Sequence, residues 1–266
     1  MAAIVPTEPG TPTRKSATED SITIEWTAPT DDGGTDITDY HVWWDNGTGG
    51  SFVFLDTSMN LLEYYEAGPL DTGKTYRFKV YAENFINLGT ESGIGSIIAA
   101  TVPDPPVPAP TRVSSTKTSI TISWTAPYNG GSPILGYKIF MNGGGISSTY
   151  TDVTNSGTLD NTLRTFTSAT TLTTGLDYKF KVLAYNAVED GNASTASDPI
   201  YSAIVPTAPQ AVQKQTSTET SVTVEWTAPA DIGGSPLTEY VVYSNGGGTS
   251  TTFSEVGRTD DLVLSF

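Results

Sequence analysis

The sequence predicts an all-β chain of tandem sandwich repeats, two complete and a third incomplete. Three observations predict it. A nine-residue strand signature occurs three times. Each copy alternates apolar with polar residues, and short apolar runs are separated throughout by Gly, Pro and Asn.

The signature runs Ser21-Ile22-Thr23-Ile24-Glu25-Trp26-Thr27-Ala28-Pro29. It returns as Ser119-Ile120-Thr121-Ile122-Ser123-Trp124-Thr125-Ala126-Pro127 and as Ser221-Val222-Thr223-Val224-Glu225-Trp226-Thr227-Ala228-Pro229. Its tryptophans lie 98 and 102 residues apart, so the period is a whole domain rather than a solenoid unit. Ile22, Ile24 and Trp26 share one face of a strand, and Thr23 and Glu25 take the other. The closing proline ends the strand, because it cannot donate to a central ladder.

A second strand follows a Gly-Gly turn in each repeat: Tyr40–Trp44, Tyr137–Met141 and Tyr240–Ser244. Tyr40, Val42 and Trp44 and their counterparts form its inward set. Asn46-Gly47, Asn142-Gly143 and Asn245-Gly246 come next and favour a hairpin. The third signature, Leu70-Asp71-Thr72-Gly73-Lys74-Thr75-Tyr76-Arg77-Phe78-Lys79-Val80-Tyr81-Ala82, is matched by Leu172 through Ala184. Leu stands six residues before Tyr in both, Gly three before it, and Phe78, Val80 and Ala82 continue inward at period two.

In the strand-B Trp, the strand-C Tyr and the Leu-to-Tyr corner, nearly the whole chain resembles the fibronectin type III family. The resemblance implies seven-stranded Greek-key sandwiches with a three-stranded and a four-stranded sheet, and a tyrosine corner at Tyr76 and Tyr178. It also implies repeats like those of large surface, matrix or ciliary proteins.

Pro-rich joints at 102–110 and 205–209 bound repeat one at residues 6–104, repeat two at 105–205 and a partial repeat three at 206–266. Such joints favour semi-rigid spacers, hence a rod-like string. Ala3-Ile4-Val5-Pro6-Thr7 matches Ala203-Ile204-Val205-Pro206-Thr207, and the third repeat stops near its fifth strand at Phe266. The expectation is a window on a longer array; the rival is donation of the missing strands by a neighbouring chain. Alone, the partial repeat is expected to leave Trp226 and its neighbours without a facing sheet.

A formal net charge of -16 argues against nucleic acid, heparin-like polymers and anionic membrane surfaces. The absence of cysteine excludes disulfides, thiolate zinc sites and a cysteine nucleophile. No stretch approaches 18 apolar residues, and Met1 to Pro6 carries no basic-then-apolar secretion signal.

Nothing in the sequence reads as catalysis: no cofactor, metal or catalytic residue is expected. The one histidine, His41, points outward by strand parity. The carboxylates at Asp31-Asp32, Asp36 and Glu189-Asp190 read as solvated loops, since Tyr128-Asn129 and Ala230-Asp231 stand in place of the first cluster. Sequons begin at Asn46 and Asn192 in exposed loops, at a frequency chance explains.

One pattern exceeds background. The outward positions of the second strand hold Trp43, Phe140 and Tyr243, and the neighbouring strand presents Arg77, Lys79 and Tyr81, or Lys179, Lys181 and Leu183. This aromatic-basic face reads either as ordinary cross-strand packing or as a contact face for other proteins or neighbouring copies. The function expected is a non-enzymatic structural and interaction segment of a rod-like protein, extracellular or at the cell surface, with a ciliary or cytoskeletal place as the alternative. A carbohydrate- or ligand-binding accessory module is the second reading.

Overall fold

The computed structural model describes residues 2–154, 159–168, 171–260 and 263–266. Those residues hold strands and turns, with no helix among them.

The first repeat contains β1 (Thr13–Ala17), β2 (Ser21–Glu25), β3 (Ile37–Trp44), β4 (Val53–Thr57), β5 (Glu63–Ala67), β6 (Thr75–Asn84), β7 (Leu88–Glu91) and β8 (Gly95–Ile98). One sheet has the order β1-β2-β5. The other runs β4-β3-β6, with β7 and β8 dividing the far edge of β6 between them. Counting that divided edge as one strand gives the expected seven, three against four. Every pairing is antiparallel.

Burial follows the sequence alternation. Along β6 each second residue from Tyr76 to Asn84 is buried and the residues between are not. Register places Tyr40 opposite Ala82, Val42 opposite Val80 and Trp44 opposite Phe78. These side chains meet Ile22, Ile24 and Trp26 from the other sheet in one core. Trp26 lies edge-on to Tyr40, with ring centroids 5.7 Å apart.

The second repeat repeats the plan with β9 (Thr111–Ser115), β10 (Ile120–Ser123), β11 (Gly136–Asn142), β12 (Tyr150–Asp152), β13 (Leu159–Asp160), β14 (Thr165–Thr167), β15 (Asp177–Tyr178), β16 (Phe180–Tyr185) and β17 (Ile200–Tyr201). Its sheets are β14-β10-β9 and β12-β11-β16, with β13 also on β11 and β15 paired to β17. Trp124 packs edge-on to Tyr137 at 5.3 Å. The corner forms in both repeats: the Asp71 amide donates to the Tyr76 hydroxyl at 2.8 Å, and the Thr173 amide to the Tyr178 hydroxyl at 2.9 Å.

Residues 206–266 supply β18 (Gln210–Ser217), β19 (Val222–Thr227), β20 (Glu239–Ser244) and β21 (Ser254–Asp260). Leu264 and Phe266 add backbone hydrogen bonds to Trp226 and Val224. Among the described residues nothing takes the place that β6 and β16 hold beside β3 and β11. The expected exposure is therefore uneven. Trp226 is itself buried, edge-on to Tyr240 at 5.4 Å. Val222 is 62% exposed, whereas Ile22 and Ile120 at the same position are 0% exposed. An apolar groove of about 730 Å³ opens there, lined by Val222, Val224, Trp226, Tyr240, Val242 and Phe266.

The hairpin turn after β3 follows the sequence reading, and the one after β11 does not. Asn46 and Gly47 both have positive φ, 52° and 64°, as a primed turn requires. In the second repeat the positive φ angles fall on Gly144 and Gly145, and Asn142 is instead buried. Its Oδ1 accepts the Lys179 amide at 2.8 Å, and its Nδ2 donates to the Ser147 carbonyl at 3.0 Å. Asp45 does the same work in the first repeat. Its Oδ1 accepts the amides of Arg77 and Gly47 at 2.9 Å each, and its Oδ2 accepts the Arg77 Nε at 2.7 Å. Burial alone would push the Asp45 carboxyl up, but the Arg77 amide and guanidinium, with the Gly47 and Gly49 amides, hold it below its ordinary value.

Two predictions follow from these contacts. Tyr76→Phe leaves a part-buried amide without its acceptor and should destabilise the first repeat by about 1–3 kcal/mol in urea denaturation; Tyr178→Phe should do the same to the second. Because the folded pKa of Asp45 is depressed, its contribution is present above the ordinary carboxylate range and is lost as pH falls below about 4. Asp45→Asn, which copies Asn142, should reduce the acid sensitivity of the first repeat when urea midpoints at pH 7 and pH 3 are compared.

Candidate functional site

The outward face of β3, β4 and β6 in the first repeat carries the aromatic and basic residues. Register sets Trp43 between Phe54 on β4 and Lys79 on β6, and His41 beside Tyr81. Trp43 lies edge-on to Phe54 at 5.8 Å and tilted against Tyr81 at 5.9 Å. Lys79 Nζ sits 4.8 Å from the centre of the Phe52 ring and 5.5 Å from that of Tyr81. The Arg77 guanidinium is 5.2 Å from the Phe52 ring centre.

The cations of this face have anionic partners. Arg77 is bound by Asp45, and Lys79 pairs with Glu91 at 2.5 Å. Glu91 also accepts the Tyr81 hydroxyl at 2.6 Å. The hydrogen bond from Lys79, then that from Tyr81, lowers the Glu91 pKa, and the same contact with Glu91 raises that of Lys79. His41 does point outward, but it is half-buried, with Nε2 2.9 Å from Glu83 Oε2.

The second repeat holds a reduced version. Phe140 stands opposite Lys181 on β16, and Lys181 Nζ lies 4.6 Å from the centre of the Tyr150 ring. Lys138 pairs with Asp190 at 2.5 Å and lies 5.9 Å from the Tyr185 ring centre. Lys179 and Lys181 have no ion pair among the described residues. Leu183 stands on this face opposite Lys138, outside the core cluster, and is covered to 8% exposure. In the third repeat Tyr243 is exposed on β20 opposite Glu255, with no basic strand beside it among the described residues. The face therefore makes one dense cluster, one sparse cluster and one isolated tyrosine.

Sequence reasoning missed Phe52, Phe54 and the acidic partners. Phe54 could have been found from the alternation after the Asn-Gly turn; Asp45, Glu91 and Asp190 sit in loops or at edges, where no period applies. Asn46 and Asn192 are both exposed, but Ser194 of the second sequon is buried, its hydroxyl oxygen accepting the Val182 amide.

The acidic turn reading also needs correction. Asp31 does recur, as Asp231: each accepts the amide of the first glycine two residues on at 2.9 Å, and each lends its carbonyl to a threonine amide, Thr7 or Thr207. Repeat two has one residue fewer here, and Tyr128 takes the same place, its carbonyl accepting the Asp104 amide. Among the described residues no group of three or more His, Asp or Glu side chains could hold a metal ion, and no helix is long and apolar enough to cross a membrane.

The Fibronectin type III domain profile matches residues 7–96 and 105–200. Relatives include Exoglucanase B of Cellulomonas fimi, 31% identical across 95% of the chain and 23% of that protein. Titin of Drosophila melanogaster is 29% identical across 98% of the chain and 1% of that protein. The chain thus spans less than a quarter of the length of either. A solved structure of chicken CNTN1 FN1-FN3 domains is similar over 99% of this chain and 88% of its own, at 17% identity and a TM-score of 0.42. Its two profile matches cover more than half of the sequence, and the chain belongs to the fibronectin type III domain family.

Proposed function

We propose that the chain is a non-enzymatic spacer and interaction segment of a long rod-like protein, working through contacts with other proteins or neighbouring copies. The observation that carries this reading is the fastening of the segment entering each repeat to that repeat's Gly-Gly turn, by an asparagine side chain in the first two and by backbone hydrogen bonds from Ile204 and Thr207 in the third. Asn186 Nδ2 donates to the carbonyls of Thr101 and Asn129 at 2.7 and 2.8 Å, so the connector into the second repeat is fastened to that repeat's Gly-Gly turn. Asn84 holds Ile4 and Asp32 in the same way. Connectors held by side chains transmit orientation, as a spacer needs and a floppy tether does not provide.

Titin and the striated-muscle M-protein of Gallus gallus among the relatives support a structural repeat module. A surface or extracellular place is consistent with Exoglucanase B and with receptor-type tyrosine-protein phosphatase S, and a cytoskeletal place with the muscle relatives. The aromatic cluster around Trp43 is the contact face proposed for a partner or a neighbouring copy. The same cluster and the likeness to an exoglucanase favour the second reading, an accessory module for carbohydrate.

Small-angle scattering tests the spacer. A compact 266-residue globule has a radius of gyration of about 18 Å, and a rod should lie well above it; a value near 18 Å would overturn the proposal. Trp43→Ser combined with Phe140→Ser should abolish assembly while leaving each repeat folded, and a glycan array separates the carbohydrate reading from it.

A further inference from the structure

Each joint between successive repeats is built from the same pieces. The second glycine of the Gly-Gly turn lies against the threonine of the preceding repeat's corner loop. A Cβ placed on Gly131 would come within 2.6 Å of the Thr72 methyl, and one on Gly234 within 2.4 Å of the Thr174 methyl. The corner glycines approach equally closely from the other side: a Cβ on Gly73 would meet the Gly131 carbonyl at 2.5 Å, and one on Gly175 the Gly234 carbonyl at 2.6 Å. No side chain fits between, so glycine is required on both sides.

Beside this contact each joint has one variable pair. The corner threonine fixes the tip of the first hairpin of its own repeat, since Thr72 Oγ1 donates to the Glu19 carbonyl and Thr174 Oγ1 to that of Lys117. The tip residue then reaches the position held by Tyr128 or Asp231 in the next repeat. Between repeats one and two, the Glu19 side chain lies against the receiving turn, its Cγ 3.2 Å from where a Gly131 Cβ would stand, and Tyr128 occupies the position that Asp231 holds in the next joint. Between repeats two and three, Lys117 Nζ meets Asp231 Oδ2 at 2.5 Å. Exchanging the tips would set Glu19 against Asp231, two like charges.

The first repeat presents the same receiving face, and no described residue lies on it at Gly34. Gly34 has φ +84°, close to Gly131 at +85° and Gly234 at +91°, but a Cβ there would meet nothing within 4 Å. Asp31 stands where Asp231 stands, with Oδ1 engaged by the Gly33 amide and Oδ2 without a partner among the described residues. We propose that Asp31, Gly33 and Gly34 form a docking face for the corner end of another fibronectin type III repeat that carries a basic residue at the Lys117 position. We further propose that the tip-residue pairing selects which repeats stand next to one another. Complementarity of this kind discriminates by excluding wrong neighbours more than by raising affinity. Connection in one chain supplies the effective concentration that a small contact needs.

The inference rests on the spacer reading, and its test is separable from it. The full chain is extended by a second copy of residues 105–203 fused ahead of Ile4, so that the added Ala203 replaces Ala3. The whole protein is then treated with a zero-length carbodiimide and its cross-linked peptides are identified by mass spectrometry. In the unextended chain the expected product is an amide between Lys117 and Asp231. In the extended chain a second amide should join the added Lys117 to Asp31, at least tenfold above any to Asp32 or Asp36. Asp31→Lys should abolish it, and adding Lys117→Glu in the upstream copy should restore a link of reversed sense. An even spread over Asp31, Asp32 and Asp36, or no Asp31 link while the Lys117–Asp231 amide forms, overturns the docking face. Loss of both links overturns the joint itself. Scattering that stays elongated in either case leaves the spacer reading standing alone.

Discussion

The edge-on contact between a tryptophan of one sheet and a tyrosine of the other is the interaction around which each repeat is arranged. Trp26 and Trp124 directly follow the middle strands β2 and β10 of three-stranded sheets and Trp226 lies on the equivalent strand β19, paired with β18, while Tyr40, Tyr137 and Tyr240 come from the facing sheet. An aromatic pair in this geometry contributes about 0.5–1.5 kcal/mol beyond the area it buries. Its larger effect is positional: it fixes the separation and the register of the two sheets at one point. Strand alternation then determines which neighbours of that point face inward, and the buried residues of β6 are the direct consequence.

The third repeat separates what this pair does from what the rest of the sandwich does. Trp226 is 7% exposed although no strand lies beyond β20 on the side where β6 adjoins β3, among the described residues. The pair therefore assembles from the first strands alone. Val222 does not share that cover. Its counterparts Ile22 and Ile120 form part of cores to which β6 and β16 contribute Phe78 and Phe180. Tryptophan burial is thus a property of the strand pair, and closure of the core is a property of the later strand.

Much of this was legible because period two and a fixed spacing carry it. Ile22, Ile24, Tyr40, Val42, Phe78 and Val80 are all inward as the alternation says, and the Leu-to-Tyr spacing located both tyrosine corners. Most features that depend on loops were not legible. One loop feature was open to spacing: Asp31 and Asp231 each stand five residues after the tryptophan, and their carbonyls accept equivalent threonine amides; only the second repeat, with Tyr128 four residues after Trp124, breaks that spacing. Asn142 read as a turn residue because Asn-Gly has that chemistry, yet a run of three glycines let the turn move on and left its amide free to be buried. For the candidate face, strand parity identified Trp43, Lys79 and Phe140 as outward, but parity says nothing about Asp45, Glu91 and Asp190, which neutralise the cations beside them.

That neutralisation changes where recognition by this chain is most specific. On the first-repeat face Arg77 and Lys79 are spent on Asp45, Glu91 and aromatic rings, so what the face presents is chiefly the edge of an aromatic cluster rather than a cationic field. A surface of this kind offers little charge by which to discriminate between partners. The joints differ. There the backbone approach is so close that only glycine fits, and the residues beside it change from Glu19 and Tyr128 to the ion pair Lys117–Asp231. An invariant backbone contact with one variable pair is a way to keep the geometry of an array constant while encoding the order of its members. Under the proposed pairing, the strongest selectivity in the molecule would sit at the ends of the sandwiches, where charge and close backbone approach coincide, rather than on their broad faces.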